Sequence, residues 1–339
     1  MVPEKVGDLG EKALLQRLRR YVSEGGSIVR AFSEDCAVTD NGSDRYLLLT
    51  VDVMVDGKHF RQEWMPPFHL GRKAVNVNLS DISAMGGSAR FFLVSLGLPA
   101  ETGVGFVEET YEGIESAARE SGLALAGGNV SESPVFFIDI TMIGDVEKNR
   151  ALFRNGACEG DAIFVTGSLG ASACGLKLLE SGRRLDDVAD SWMRDAILAH
   201  FDPPVLQKAA AWLASTGCVT SMMDLSDGLA ADLPEICRES RVGAVILTDR
   251  IPVAKCVGKL MGADPLQLAL TGGEDYHLLF TVAVKRREEF LQRAAENGTV
   301  FHEIGVTAPA GQGILVQDAA GGRRPLGPGF QHFLKQDEH

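Results

Sequence analysis

Apolar residues follow two different spacings along the first half of the chain. Residues 11–23, 70–85 and 107–118 carry them at helical spacing. Residues 45–55 and 135–146 have the pattern of strands, and the second of these is rich in Phe and Ile. The first half is therefore predicted to mix helices and strands.

The second half begins after a polar stretch, residues 147–161, that contains Gly156 and Gly160. A chain of 339 residues exceeds the usual size of one domain. We therefore predict an N-terminal domain at 1–148 and a C-terminal domain at 149–339. Predicted strands cover 162–166, 244–248 and 276–284; one predicted helix ends at 179, two cover 191–214, and another covers 229–239. Roughly the last twenty residues, rich in Gly, Pro and Arg, are predicted to form an extended tail.

Charge and cysteine usage narrow the class of protein. Acidic residues number 46 against 33 basic ones, a formal charge of -13, which argues against a protein that grips nucleic acid. The acid surplus is compatible with divalent-cation binding, although an acidic, solubilising surface explains most of it without any site. The six cysteines form no C-x-x-C pair, so we predict buried free thiols. Neither a signal peptide nor a membrane-spanning stretch is evident, so we expect a cytoplasmic protein.

Familiar catalytic motifs are absent from the sequence. It contains no G-x-x-x-x-G-K-[ST] loop, no G-x-G-x-x-G fingerprint, no H-E-x-x-H and no G-x-S-x-G elbow. Acids instead recur beside small or amide residues at the ends of apolar runs, at Asp35, Asp52, Asp81, Asp224, Asp227, Glu274 and Asp275. Such oxygen ligands, without a His or Cys ligand pattern, indicate Mg²⁺, Mn²⁺ or Ca²⁺ and argue against zinc. Several acids around paired Mg²⁺ ions would suit nucleoside triphosphate chemistry.

Asp81 lies on an apolar stripe of a predicted helix. At helical spacing it shares one side of that helix with Leu70, Ala74 and Val77. A carboxylate in such a place is costly unless a cation or hydrogen-bond donors satisfy it. Asp81 equally suits the cap of a short helix beginning at Ile82. Spacing alone leaves both interpretations open.

Three other segments also have two interpretations. Asp224 and Asp227 at the end of an apolar run suit metal or phosphate binding, but an N-cap role for Ser226 or Asp227 is the more common use of such residues. The Gly-Gly-Glu-Asp segment containing Glu274 is either a ligand-contacting loop or a tight turn, and the turn is favoured without context. His59 either projects from a loop into a cleft or lies on the surface, as most lone loop histidines do.

Six segments occur in a characteristic order along residues 7–333. They are 50–60 (TVDVMVDGKHF), 73–86 (KAVNVNLSDISAMG), 154–170, 223–231 (MDLSDGLAA), 270–280 (LTGGEDYHLLF) and 329–333 (GFQHF). Each is modest alone, but together they resemble the thiamine-monophosphate kinase family. That family is part of a larger group with aminoimidazole ribonucleotide synthetase, selenophosphate synthetase and a hydrogenase maturation protein. The GKHF end of the first segment favours the thiamine kinase branch.

The resemblance implies a fold and a reaction. The fold is a two-domain α/β (α+β) arrangement of the aminoimidazole ribonucleotide synthetase type. Its N-terminal mixed sheet pairs across a homodimer, its C-terminal domain is α/β, and nucleotide binds near the dimer interface. The reaction is Mg²⁺-dependent transfer of the ATP γ-phosphoryl group to thiamine phosphate, which gives thiamine diphosphate and ADP. We expect a direct in-line transfer, a small-molecule substrate, and no nucleic-acid or membrane partner.

The resemblance also assigns roles to individual residues. The metal ligands would be Asp35, Thr50, Val51, Asp52, Asp81, Asn129, Asp224 and Asp227, with Asp81 and Asp227 as the catalytic pair. The ATP-binding residues would be Tyr111, Gly128, Asn129, Arg154 and Ser226. The residues that border thiamine phosphate would be His59, Glu274 and Phe330, with the aromatic ring against the heterocycle.

The sequence departs from the family pattern at a few positions. The usual Gly-Gly-Asp-Thr-Thr-Arg is Gly-Gly-Asn-Val-Ser-Glu at 127–132. Asn129 would offer an uncharged oxygen, so one metal should bind more weakly, and Glu132 replaces an arginine expected near phosphate. Glu34 stands where Asp is usual, and Val51 where Thr is usual. Two alternatives stay open: a related ATP-dependent enzyme with another acceptor, or a nucleotide- or thiamine-phosphate-binding protein without turnover.

Overall fold

The N-terminal strands form one mixed six-stranded sheet. The computed structural model describes residues 5–22 and 25–329, and within them this sheet has the order β1-β2-β3-β6-β4-β5. The strands are β1 Ile28–Arg30, β2 Ala37–Asp40, β3 Arg45–Val55, β4 Ser88–Leu98, β5 Ala124–Glu132 and β6 Phe137–Glu147. Neighbouring strands are antiparallel except β4 and β5, which are parallel.

Helices cover one face of this sheet. After α1 Val6–Leu9 and α2 Glu11–Leu18, the long helices α3 Pro67–Ala84 and α4 Val104–Ser121 pack together, with α3 against β3 and β6. Gly71 lets the two helices approach closely, because a Cβ there would lie 1.9 Å from the carbonyl oxygen of Thr110. Every second residue of β6 is buried, as expected for a sheet with one covered face.

The opposite face of the sheet, here called the outer face, carries exposed apolar side chains. They are Val51, Val53, Phe91 and Leu93, each at least 40% exposed. Pairing partners point to the same side of a sheet, and the pairs that β6 makes with β3 and β4 place all four on this side. Exposed apolar surface of this kind is typical of an interaction site.

The C-terminal half has a seven-stranded sheet of order β13-β12-β9-β11-β7-β10-β8. The strands are β7 Ala162–Val165, β8 Val219–Asp224, β9 Val242–Leu247, β10 Leu278–Val282, β11 His302–Pro309, β12 Ile314–Gln317 and β13 Arg323–Pro325. The helices are α5 Ala171–Glu180, α6 Ser191–Phe201, α7 Gln207–Thr216, α8 Leu229–Ser240, α9 Pro265–Thr271 and α10 Arg287–Glu296. The central strands β7 and β10 are buried along their whole length.

The two halves share one hydrophobic cluster. Leu70 of α3 belongs to the same cluster as Leu178 of α5 and Phe201 of α6. A polar contact reinforces this joint, because Arg72 Nε donates to Asp202 Oδ2 at 2.8 Å. Helix α3 is therefore held between the two halves, which brings acids from both within reach of each other.

Most predicted elements are confirmed, with small changes at their ends. The strand at 45–55 is β3, and the three N-terminal helices appear as α2, α3 and α4. Helix α2 stops at Leu18 and passes into a 3-10 turn, Arg19–Tyr21, while position 23 lies outside the described residues. The two helices predicted within 191–214 are α6 and α7. The domain boundary after position 148 stays a prediction.

One expectation needs correction. Not all cysteines are buried, because Cys158 is exposed and Cys256 is half-buried, although all six are free. The tail predicted as extended includes an edge strand, Arg323–Pro325, which pairs with β12. Within the described residues, none of the helices combines the length and the apolar character that crossing a bilayer requires.

Candidate active site

Three aspartates from separate elements converge on one point. Asp35 lies between β1 and β2, Asp81 belongs to α3, and Asp224 ends β8. Each offers a carboxylate oxygen, and these three oxygens all lie within 4.8 Å of one another. Like charges at this separation repel strongly unless a cation or protons intervene.

Asp81 is an interior residue of α3, so its interpretation as the cap of a short helix is wrong. The helix runs through it from Pro67 to Ala84. The hydroxyl of Thr50, on the covered face of β3, donates a hydrogen bond to Asp81 Oδ2. The strand and the helix together fix the carboxylate, and rigid elements of this kind position a site more accurately than loops do.

Asp224 is buried at the end of β8, and a helix from the other half of the chain supports it. Ser80 Oγ donates to Asp224 Oδ2 at 2.5 Å. The following loop leads to α8, whose N-cap is Gly228 at a φ of 93°. The N-cap interpretation of Ser226 or Asp227 is therefore wrong. Only glycine fits at 228, because a Cβ there would also lie 2.6 Å from the carbonyl oxygen of Gly272.

The loop carrying Asp227 is held by a buried acid of the next helix. Asp232, 3% exposed in the first turn of α8, accepts a hydrogen bond from the backbone N–H of Asp227 at 3.1 Å. Sequence reasoning missed Asp232. The available signal was an acid in the first turn of a predicted helix, where it can bond to free backbone N–H groups.

Burial and mutual repulsion raise the pKa values of these carboxyl groups. Burial, and then the charge of Asp35, raises the pKa of Asp224 to about 8. Burial, and then Asp139 and Asp227, raises the pKa of Asp52 to about 6. Burial and the neighbouring aspartates also move the pKa of Asp81 well above its ordinary value. A bound cation would oppose these shifts by favouring the ionised forms.

Arg154 is a cation that the protein itself supplies to this cluster. Its guanidinium donates to Asp35 Oδ1, and its backbone N–H donates to Glu34 Oε2 at 2.8 Å. Burial raises the pKa of Glu34 to about 7 despite that bond. Within residues 5–22 and 25–329, Asp35 Oδ2 is buried without a hydrogen-bond partner. This oxygen therefore retains the capacity to accept a further ligand.

A cavity of about 520 Å³ connects the acids to other predicted site residues. Its lining includes Asp52, Asp81 and Asp227 as well as His59 and Glu274. His59 Nδ1 accepts the backbone N–H of Val55 at 3.0 Å, which fixes the histidine on the cavity wall. The structure thus favours the cleft interpretation of His59. Phe330 lies outside the described residues.

The segment containing Glu274 is not an ordinary tight turn. Glu274 and Tyr276 have positive φ values of 64° and 50°, which non-glycine residues hold only when their surroundings compensate the strain. The backbone N–H of Glu274 donates to the carbonyl oxygen of Ser226 at 2.7 Å. The side chain of Glu274 contacts Lys73 and His200. The turn interpretation is therefore wrong, and the segment is a wall of the cavity.

Sequence reasoning missed two of the residues that contact Glu274. The sequence contains a signal for Lys73, because helical spacing places it on the side of α3 that carries Val77 and Asp81. It contains no such signal for His200, which is one of several histidines without a ligand pattern. Both line the same cavity as Glu274.

A second cavity, of about 590 Å³, is lined by residues of α2 and α8. Arg154, Ser226 and Asp227 contribute to its lining. Ser226 and Asp227 also line the first cavity, so the two cavities meet at the loop beside the aspartates. Ser226, predicted to bind ATP, is therefore at this junction, and Arg154, predicted to bind ATP as well, lines the second cavity.

The other predicted ATP-binding residues lie elsewhere in the chain. Tyr111 is half-buried on α4 and packs against the hydrophobic cluster that the two halves share. Asn129 pairs with Ser95, which also pairs with Asp139 on β6. This register places the side chain of Asn129 on the outer face. Gly128, its neighbour on β5, has no room for a Cβ, which would lie 1.9 Å from the backbone of β4.

The predicted metal ligands on β3 point to both sides of the sheet. Thr50 and Asp52 share the covered face, whereas the side chain of Val51 is on the outer face and 59% exposed. An aliphatic side chain offers no ligand atom, so Val51 has only its carbonyl oxygen to give. The metal-binding roles of Val51 and Asn129 stay predictions.

Comparison with known proteins agrees with this geometry. Residues 33–146 match the family described as AIR synthase related protein, N-terminal domain, and residues 159–317 match the corresponding C-terminal domain. The thiamine-monophosphate kinase of Aquifex aeolicus is 32% identical over 97% of this chain and 100% of its own length. That of Synechococcus elongatus is 31% identical over 98% of this chain and 99% of its own length. The chain belongs to the thiamine-monophosphate kinase family.

Solved structures confirm the expected fold. The structure of AaThiL complexed with AMPPCP and TMP has a TM-score of 0.85 and 30% identity, and the match covers 98% of this chain and 100% of that one. The hydrogenase maturation protein HypE in complex with ATP has a TM-score of 0.67 at 22% identity, over 94% and 92% of the two chains. The second likeness is one of fold alone. The two-domain architecture of the thiamine-monophosphate kinase family is therefore present in this chain.

Proposed function

We propose that this protein transfers the γ-phosphoryl group of ATP to thiamine phosphate in a Mg²⁺-dependent reaction. The observation that carries the proposal is the shared cavity, whose lining includes Asp52, Asp81 and Asp227 together with His59 and Glu274. The comparisons support it, because the related AaThiL structure contains AMPPCP and TMP. A carboxylate cluster that opens into an acceptor pocket suits phosphoryl transfer between two polyanions.

The aspartates fit a hard divalent cation. Asp35, Asp81 and Asp224 present oxygen ligands only, and Asp35 Oδ2 has no hydrogen-bond partner in the described part of the chain. Oxygen donors of this kind suit Mg²⁺ better than zinc or copper. These three residues would hold the ion, with Asp52 joining them from β3. Bound Mg²⁺ would neutralise phosphate oxygens of ATP and help to align them with the acceptor.

The proposed reaction depends little on a general base. The second pKa of a phosphate monoester is about 6, so the acceptor oxygen is already largely ionised at neutral pH. That oxygen forms a bond to the γ-phosphorus while the bond from γ-phosphorus to the β,γ-bridging oxygen breaks, and ADP keeps the electron pair. We propose that this transfer is direct, without a phosphoenzyme. A phosphorylated protein trapped by rapid quench would contradict that step.

The nucleotide is proposed to reach the acceptor at the junction of the two cavities. Arg154 and Ser226 would bind its phosphate oxygens there, where preorganised donors are most effective. Tyr111, Gly128 and Asn129 would place the rest of the nucleotide. The position of Asn129 on the outer face supports a nucleotide site near a dimer interface. His59, Glu274 and Phe330 would border thiamine phosphate.

We also propose that a second copy of the chain covers the outer face. Its exposed apolar side chains support this, because water-exposed Val51 and Phe91 would be buried in such a dimer. We expect sedimentation equilibrium to give twice the chain mass of 36.3 kDa. Val51→Lys should shift the protein toward the single-chain mass, while Val300→Lys, at an exposed position of the C-terminal half, should not. A wild-type protein of single-chain mass would contradict the proposal.

The function is tested by the choice of acceptor. With ATP and Mg²⁺ present, we expect thiamine phosphate to yield thiamine diphosphate and ADP in equal amounts, measured by chromatography. Aminoimidazole precursors and selenide should release no ADP above the acceptor-free control. ADP release with either of those acceptors, and none with thiamine phosphate, would support a related enzyme of different specificity. ATP binding without any product would support a binding protein.

A further inference from the structure

A buried lysine contacts the acceptor side of the cavity. Lys73 of α3 is 1% exposed, and its Nζ lies 3.1 Å from Glu274 Oε1. The other oxygen of this carboxylate, Oε2, lies 3.2 Å from His200 Nδ1. All three side chains line the cavity that also contains His59. Each oxygen of Glu274 therefore has a basic side chain of the protein close to it.

The charges within this trio nearly cancel. Burial, and then the charge of Lys73, lowers the pKa of His200 to about 3, so the imidazole is neutral and its contact with Glu274 is not an ion pair. The same Nδ1 lies 3.0 Å from Ser172 Oγ, with which it shares a hydrogen bond. Burial alone would raise the pKa of Glu274, but Lys73 and His200 hold it below its ordinary value. One ammonium group and one carboxylate therefore face each other beside a neutral imidazole.

The backbone around Glu274 is fixed from two sides. Its own N–H is bonded to Ser226, in the loop next to the aspartates. The carboxylate of Asp275 accepts the backbone N–H groups of Gly170 at 2.5 Å and Ser172 at 3.1 Å. These contacts hold Glu274 at its positive φ, and Lys73 and His200 then fix the side chain. Strain that is compensated in this way is typical of functional sites.

Stability alone does not account for the buried lysine. Burying an ion pair costs about as much desolvation energy as its attraction returns, so an apolar pair would serve folding as well. A carboxylate has about four lone-pair positions, and Lys73 and His200 each approach only one of the two oxygens. The remaining positions of Glu274 are available to a donor in the cavity.

We propose that Lys73 and His200 are positioning residues for the acceptor. They orient Glu274 and neutralise its charge, so that it receives an N–H donor from an uncharged amino group of the acceptor's heterocycle. A free carboxylate would instead select a cationic ring. This inference rests on the proposed function and adds residues and a specificity to its acceptor site.

Replacing Lys73 with methionine tests the inference. We expect Lys73→Met to raise the KM for thiamine phosphate by about tenfold to a hundredfold, because an unpaired, misoriented carboxylate binds the amino group poorly. The KM for ATP should stay within about twofold. Arg72→Met is the matched control, since it removes a cation from the same helix that pairs with Asp202 and Glu120 instead. Its KM for thiamine phosphate should not change.

A double-mutant cycle separates positioning from direct contact. If Lys73 acts through Glu274, Lys73→Met should add less than about twofold to the KM of Glu274→Gln. A further tenfold loss in that background would mean that Lys73 itself binds the acceptor, which would overturn the positioning role. This comparison uses only Glu274→Gln and the double variant. It therefore remains available if Lys73→Met does not fold, because the double variant has no unpaired charge.

The same experiment distinguishes this inference from the proposed function. Wild-type turnover of thiamine phosphate with an unchanged KM in Lys73→Met would overturn the inference and leave the function intact. A wild-type protein that neither binds nor phosphorylates thiamine phosphate would contradict both. Equal losses in Lys73→Met and Arg72→Met would show a general structural effect and would also overturn the positioning role.

Discussion

Asp81→Asn should lower kcat by about a thousandfold without weakening the fold. The expected loss corresponds to about 4 kcal/mol of transition-state stabilisation. It follows from removing one of three carboxylates whose oxygens lie within 4.8 Å of each other. Stability should be retained, because asparagine can still accept the hydrogen bond from Thr50 and removes a charge that its neighbours repel. The melting temperature of the metal-free variant should therefore equal or exceed that of the wild type.

Steady-state kinetics and thermal unfolding, measured on the same preparation, check this prediction. Asp249→Asn is a suitable control, because that aspartate is exposed on the 3-10 turn Thr248–Arg250 and should affect neither quantity. A variant that unfolds readily, while its folded fraction keeps metal-dependent activity, would show that Asp81 is structural.

Arg154→Met should have the largest effect on stability. Removing the guanidinium leaves the buried Asp35 side chain without its cationic partner. In metal-free buffer we expect the free energy of unfolding to fall by about 3–5 kcal/mol, which is typical of breaking a buried ion pair. Added Mg²⁺ should return part of this loss, because it binds the folded cluster and not the unfolded chain.

The double variant Arg154→Met/Asp35→Asn provides the control for that interpretation. It removes both charges, so its stability in metal-free buffer should recover most of the loss. Denaturant unfolding followed by circular dichroism measures all three proteins under one condition. If the single variant is as stable as the wild type, Arg154 is not the partner that compensates the aspartates.

The sequence predicted those parts of the fold that have one buried side. Strand β3 and helix α4 have this property, and their apolar spacing marks them. Strand β5 was not predicted, because all nine of its residues are exposed and no buried face imposes an alternation. Strand β4 was missed for a related reason, since its outer face carries apolar residues such as Phe91 and Leu93.

The candidate site was predictable as a set of residue types but not as an arrangement. Spacing identified Asp81 as an unusual residue, yet it could not exclude a cap, because only the continuation of α3 to Ala84 decides that question. The contact of Lys73 with Glu274 and His200 joins positions far apart in the chain. It depends on how α3 packs against the C-terminal half, which local patterns do not contain.

The central claim is that distant aspartates form one site at which a divalent cation makes ATP reactive toward thiamine phosphate. Thiamine diphosphate formation from ATP and thiamine phosphate, followed as Mg²⁺ is titrated into chelator-treated protein, tests it most directly. We expect no product without the metal and saturable product formation with it. Product formation at the full rate in excess chelator would contradict the account.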